Sequence, residues 1–174
     1  MLVYFFILFG ALLRVLPHEA NFAPLGAIAL FSGAYLKRSH AVIATLSAMV
    51  ISDFFIGFDS ITSRLFVYGA LLIAVALGRW IGQDKAFTRV LAGSMLGSVV
   101  FFLITNLVFV HPEPLYPITF AGQMQSYING IPFFRNTLLS DLFYVSLFFG
   151  IYELVVSHYP SLRKANDNPS ARTN

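Results

Sequence analysis

The chain has 174 residues, 57% of them hydrophobic and only 11% charged, with a formal net charge of +3. Soluble domains carry roughly 25% charged residues, so there is too little polar surface here to coat a water-soluble globule, and lipid must solvate much of the chain. The absence of cysteine excludes disulfides, thiolate nucleophiles and cysteine-based metal sites, and the basic residues sit in short loops between apolar runs, which excludes nucleic acid as a partner.

Taken in chain order, residues 1–16 are apolar and lack a basic n-region, and no clean small-residue cleavage site follows in His18-Glu19-Ala20-Asn21. They read as a retained first helix. Residues 24–36 form a shorter apolar run, bracketed from the first by Pro17 and Pro24. It is counted as a second span, with a re-entrant segment as the alternative. Four further runs, 41–58, 65–81, 90–110 and 138–156, are close to the roughly 20 residues that cross a hydrocarbon core.

The fold class expected is an all-α membrane protein, a compact bundle of about six transmembrane helices over residues 1–160. A disordered cytoplasmic tail, 161–174, follows because it is polar and rich in Asn, Ser and Arg.

Six spans sort the eleven lysines and arginines by side. Lys37, Arg38, Arg79, Lys85, Arg89, Arg163, Lys164 and Arg172 fall together, and Arg14, Arg64 and Arg135 fall opposite. Basic loops mark the cytoplasmic face, so both termini are placed in the cytoplasm.

Small residues recur at four-residue spacing at Ala70, Ala74, Gly78 and Gly82, at Ala44, Ala48 and Ser52, and at Gly93 and Gly97. Such stripes let helix backbones approach closely in lipid. Internal packing is the ordinary use, and docking of a partner the functional one.

Ionisable groups within spans are costly and point to function. Arg14, His18, Asn21, Asp53, Arg64, Asn106, Arg135, Asn136 and Asp141 fall in the outer half of this topology, with Tyr68 and Tyr116 as companions. Together they suggest a polar cavity open to the outside, because arginine suits planar recognition of carboxylate, phosphate or a heterocycle edge. Pairing of these charges to staple the bundle is the alternative. Between His111 and Thr137, Phe120, Met124, Tyr127 and Ile131 recur at helical spacing, which predicts an interfacial helix over the outer mouth. Ser52-Asp53-Phe54-Phe55 echoes Ser140-Asp141-Leu142-Phe143, a short and weak hint of a three-helix repeat. No metal site is expected at His18 or His111, no cofactor is implied, and no nucleotide-binding or catalytic motif is present.

Arg14-Val-Leu-Pro-His18, the run from Asn21 to Ala34, Ser52-Asp53, Asn106 and Pro132-Phe-Phe-Arg-Asn-Thr-Leu-Leu-Ser-Asp141 resemble a bacterial multi-pass membrane family of unknown function. That family is similar to the S components of energy-coupling factor (ECF) transporters, which bind vitamins. The resemblance implies a bacterial inner-membrane location and a pocket near the extracellular face, capped by loops one, three and five. It also implies partners: a transmembrane coupling protein with its ATPases, and a small-molecule ligand. Those proteins often carry Ala-x-x-x-Ala in helix one, where this chain offers Gly10 and Ala11.

The function expected is therefore a non-catalytic substrate-binding subunit for uptake of a small polar or heterocyclic nutrient. The alternatives are a small intramembrane enzyme using paired Asp53 and Asp141, and a structural or assembly protein working through its small-residue stripes.

Overall fold

The structure is a computed structural model that describes residues 2–58, 60–82, 86–110 and 115–164. The described residues are helical, without strands: α1 (Leu2–Val15), α2 (Leu25–Tyr35), α3 (Arg38–Ile56), α4 (Ile61–Ile81), α5 (Phe87–Thr105), α6 (Phe120–His158) and the short α7 (Pro160–Lys164), with one 3-10 turn at Val108–Val110. Four of them, α3 to α6, are long and apolar enough to cross a membrane. The protein is an all-helical membrane protein on that evidence.

The other two apolar helices are shorter than the sequence suggests. The run 1–16 yields the 14 residues of α1, about 21 Å at 1.5 Å per residue. The run 24–36 yields the 11 residues of α2, about 16 Å, half of the roughly 30 Å hydrocarbon thickness. The run 24–36, counted as a span, thus forms a helix of about half that thickness. Pro24 stands just before its first turn, and Leu36 turns to extended backbone, with ψ 160°, before α3 begins.

This half-length helix occupies the centre of the bundle and touches α1, α3, α4, α5 and α6. Its sequence, LGAIALFSGAY, is apolar or small on every face, and Ala27 through Gly33 are all buried. A helix apolar all round belongs inside. On one side Phe31 packs into a ring of aromatics, with centroids 5.4 Å from Phe6, 5.3 Å from Phe149 and 5.5 Å from Tyr152. On another, Ser32 shares a 2.7 Å hydrogen bond with Thr45 of α3.

The closest approach is to α4. Side chains at Gly33 or Gly78 would strike the carbonyls of Val75 or Leu30, and Gly82 lies against Ala34. The Gly78 and Gly82 end of the stripe seats α2, which is the internal use of such a stripe.

The contacts fix helix direction. Leu30 meets Gly78 and Ala34 meets Gly82, so α2 and α4 run parallel. Gly26 meets Asp141 while Tyr35 donates to Glu153 at 2.7 Å, so α6 runs with them. Ile81 against Gly93 sets α5 antiparallel to α4. The links after α1, α3 and α5 therefore share one end of the bundle, and those after α2 and α4 the other.

The expected interfacial helix over 120–131 is corrected too, because it is continuous with the last span through Pro132 to make the 39 residues of α6. Proline removes one helical hydrogen bond, and other contacts hold the upper segment. Gln123 Nε2 and Ser126 Oγ donate to the carbonyl of Asn106 at 2.9 and 3.0 Å, and Tyr127 donates to that of Leu103 at 3.2 Å. The orphan carbonyls at the end of α5 are satisfied in this way. Of the tail expected to be disordered, 161–164 belong to α7 and 165–174 lie outside the described residues, as do Lys85 and His111.

Candidate functional site

The nine expected site residues do not converge on one centre. Three of them form an ionic cluster: Asp53, near the end of α3, lies between Arg14 of α1 (Nη1–Oδ1 2.5 Å) and Arg64 of α4 (Nη1–Oδ2 2.6 Å). Tyr68 donates to the same Oδ2 at 2.6 Å. Ser52, one residue earlier, accepts from Arg14, and Arg64 also reaches the carbonyl of Gly57 at 3.3 Å and lies 4.2 Å over the ring of Phe58. Both arginines thus find acceptors within the protein. This cluster ties α1, α3 and α4 together.

Asp141 lies apart, on α6, and is 3% exposed. Ser98 of α5 donates to its Oδ2 at 2.7 Å, and the backbone N–H groups of Gly26 and Ala27 face the same carboxyl group. Those two amides belong to the first turn of α2, where four N–H groups lack helical partners. Pro24 cannot cap them with a side chain, so α6 supplies the cap. Ser98 stands seven residues before the end of α5, or roughly 10 Å at 1.5 Å per residue. The first turn of α2 is therefore well inside the bundle.

The chain that leads down to this point is not helical. Bare backbone at membrane depth needs partners from the protein. Ser140 Oγ donates to the carbonyl of Ala23 at 2.9 Å, and Asn136 Nδ2 to that of Ala20 at 3.0 Å. Asn21 adopts φ +60° between them, a conformation asparagine tolerates better than most residues.

A cleft opens between this loop, α4, α5 and α6, with Asn21, Thr137 and Asp141 as its polar lining and Leu25, Leu30, Leu71 and Phe101 as its walls. It measures about 500 Å³ counted out to the open mouth, of which about 60 Å³ stands clear of the walls by a water radius. Gly26, Ala70, Ala74 and Gly97 line it with minimal side chains.

The remaining expected residues have other partners. His18 hydrogen-bonds to the carbonyls of Glu19 and Arg14 at 2.8 and 3.1 Å in the first loop. Asn106 ends α5 and bonds the carbonyl of Phe102 at 2.9 Å. Arg135 is exposed on α6, away from the ionic cluster. Tyr116 accepts from Asn129 at 3.1 Å.

Among the described residues Asp53 is bonded to Arg14, Arg64 and Tyr68, and Asp141 to Ser98. Sequence reasoning missed Ser98, Thr137 and the glycine at 26. Ser98 and Thr137 are single hydroxyls in apolar runs, and nothing local distinguishes them from ordinary packing residues.

Comparison with curated proteins and with solved structures gave no match. A family pattern does match, over residues 1–162, covering all of the helices that build both polar centres. The chain belongs to that family, a family of unknown function (DUF6580).

Proposed function

We propose that the protein is a substrate-binding membrane subunit of a nutrient uptake system, of the kind that ECF S components represent. In this reading the chain crosses the bacterial inner membrane six times, with both termini in the cytoplasm. The second crossing is made by the first loop together with α2. A small polar or heterocyclic molecule enters the cleft from outside, meets Asn21, Thr137 and Asp141, and is carried across by reorientation against a coupling protein with its ATPases. The Arg14–Asp53–Arg64 cluster holds the neighbouring helices in register.

The observation that carries the reading is the cleft ending on a buried carboxylate at the first turn of a half-length helix. Membrane transporters commonly place substrate where a helix is interrupted, because free backbone groups there are available for binding. The small lining residues favour a compact ligand.

The test is direct. Protein purified from bacterial membranes is denatured and the released small molecules are identified by mass spectrometry. The wild type is expected to release one compound in stoichiometric amount, and Gly97→Leu, which fills the cleft, to release none. Wild-type protein that carries no compound, and takes up none from a panel of labelled nutrients, overturns the reading.

A further inference from the structure

The two buried aspartates are unequal in their counter-charges. Asp53 is paired with two arginines, Arg14 and Arg64. Asp141, at 3% exposure, has none among the described residues: the groups against it are one hydroxyl and two backbone amides. All three are uncharged. The lining of the cleft contains no lysine, arginine or histidine. Ionised residues inside membrane spans are almost always paired, and an ionised Asp141 has no such pair among the described residues.

A carboxylate offers about four acceptor positions. Ser98 takes one of them at 2.7 Å and the amides of Gly26 and Ala27 face the group, while Asp141 also lines the cleft. An anion is the wrong occupant: the amides of α2 that would receive it already hold Asp141, and its charge would face a carboxylate.

We infer that the molecule taken by this cleft is a small organic cation, bearing a protonated amine or charged ring nitrogen whose charge completes Asp141 and whose apolar body lies against Leu71 and Phe101. This rests on the proposed binding function and narrows it, away from the carboxylate or phosphate ligands that the outer arginines suggest. Arg14 and Arg64 are engaged by Asp53, Ser52 and Gly57, and Arg135 is exposed and does not line the cleft.

Three probes of nearly equal size separate the charge classes: benzylammonium, benzyl alcohol and benzoate. Binding to the full-length protein in lipid nanodiscs is measured by calorimetry. Benzylammonium is expected to bind at least tenfold more tightly than the other two. Asp141→Asn, which keeps the shape and removes the charge, is expected to abolish that preference. Gly97→Leu is expected to weaken all binding in the cleft. It leaves Asp141 untouched, and a β-carbon there meets nothing nearer than 3.9 Å, so the comparison survives if Asp141→Asn fails to fold.

Benzoate or benzyl alcohol binding as tightly as benzylammonium, with loss in Gly97→Leu, overturns the charge assignment and leaves the binding function standing. Failure of all three probes overturns the charge assignment. If the purified protein also releases no compound, the binding function falls with it. A benzylammonium preference that persists in Asp141→Asn assigns the cation to another group and overturns the inference.

Discussion

The carboxyl group of Asp141 stands where a side chain at position 26 would be: a β-carbon on Gly26 would come within 2.6 Å of Asp141 Oδ2. The glycine lets α6 bring its carboxylate onto the first turn of α2. Gly26→Ala is expected to push Asp141 off the amides and to cost about 1–3 kcal/mol, the usual range for overpacking a well-filled site. Thermal unfolding in detergent reads this, and a wild-type midpoint for Gly26→Ala would show that the cap does not hold α2.

Asp53 is the hub of the ionic cluster, since Arg14 and Arg64 both depend on it. Removing one partner of a buried ion pair costs about 3–5 kcal/mol because the other charge is left unmatched. Asp53→Asn strands two cations, whereas Arg14→Gln or Arg64→Gln leaves a neutral pair behind. Asp53→Asn is therefore expected to be the most damaging of the three. Folded yield and unfolding midpoints check the ranking, and either arginine variant proving worse would contradict it.

The glycines divide by what surrounds them. Gly33 and Gly78 lie backbone to backbone, while a β-carbon at Gly69 or Gly150 would meet nothing within 4 Å. Gly78→Ala is expected to separate α2 from α4 and lower folded yield sharply. Gly69→Ala and Gly150→Ala are expected to be neutral or stabilising by up to about 1 kcal/mol, from helix propensity. Equal effects at Gly78 and Gly150 would mean that α2 is not seated as described.

Topology can be read without background because the chain has no cysteine. His18 and Ser39 are both exposed and lie in or beside links at opposite ends of the bundle. With both termini in the cytoplasm, a membrane-impermeant maleimide should label His18→Cys in intact cells, and Ser39→Cys only after permeabilisation. Labelling of both in intact cells, or the reverse order, would overturn that orientation.

Much of the architecture is legible in the sequence because lipid imposes a simple code. Each of the helices α3 to α6 announces itself as a long apolar run, since a membrane-spanning segment must satisfy its own backbone. The stripe from Ala70 to Gly82 likewise marks a close helix contact, though not its partner.

The length of α2 was less legible. Pro24 to Leu36 reads as a weak span, and only the packing of its neighbours shows why half a span suffices: Ser140 and Asn136 satisfy the loop above it. The continuity of α6 through Pro132 was hidden for a similar reason. Proline argues locally for a break, and the contacts that outweigh it come from the far end of α5.

What the sequence determined by itself was the solvent, the helical class and the set of costly polar residues, because composition and periodicity are properties of the chain alone. What the tertiary structure decided was how those polar residues divide. Asp53 and Asp141 sit in near-identical local sequences, yet one is matched by two arginines and the other caps a helix beside a cleft. A charge finds its partners through space, from helices distant in sequence, and no local pattern records which it meets.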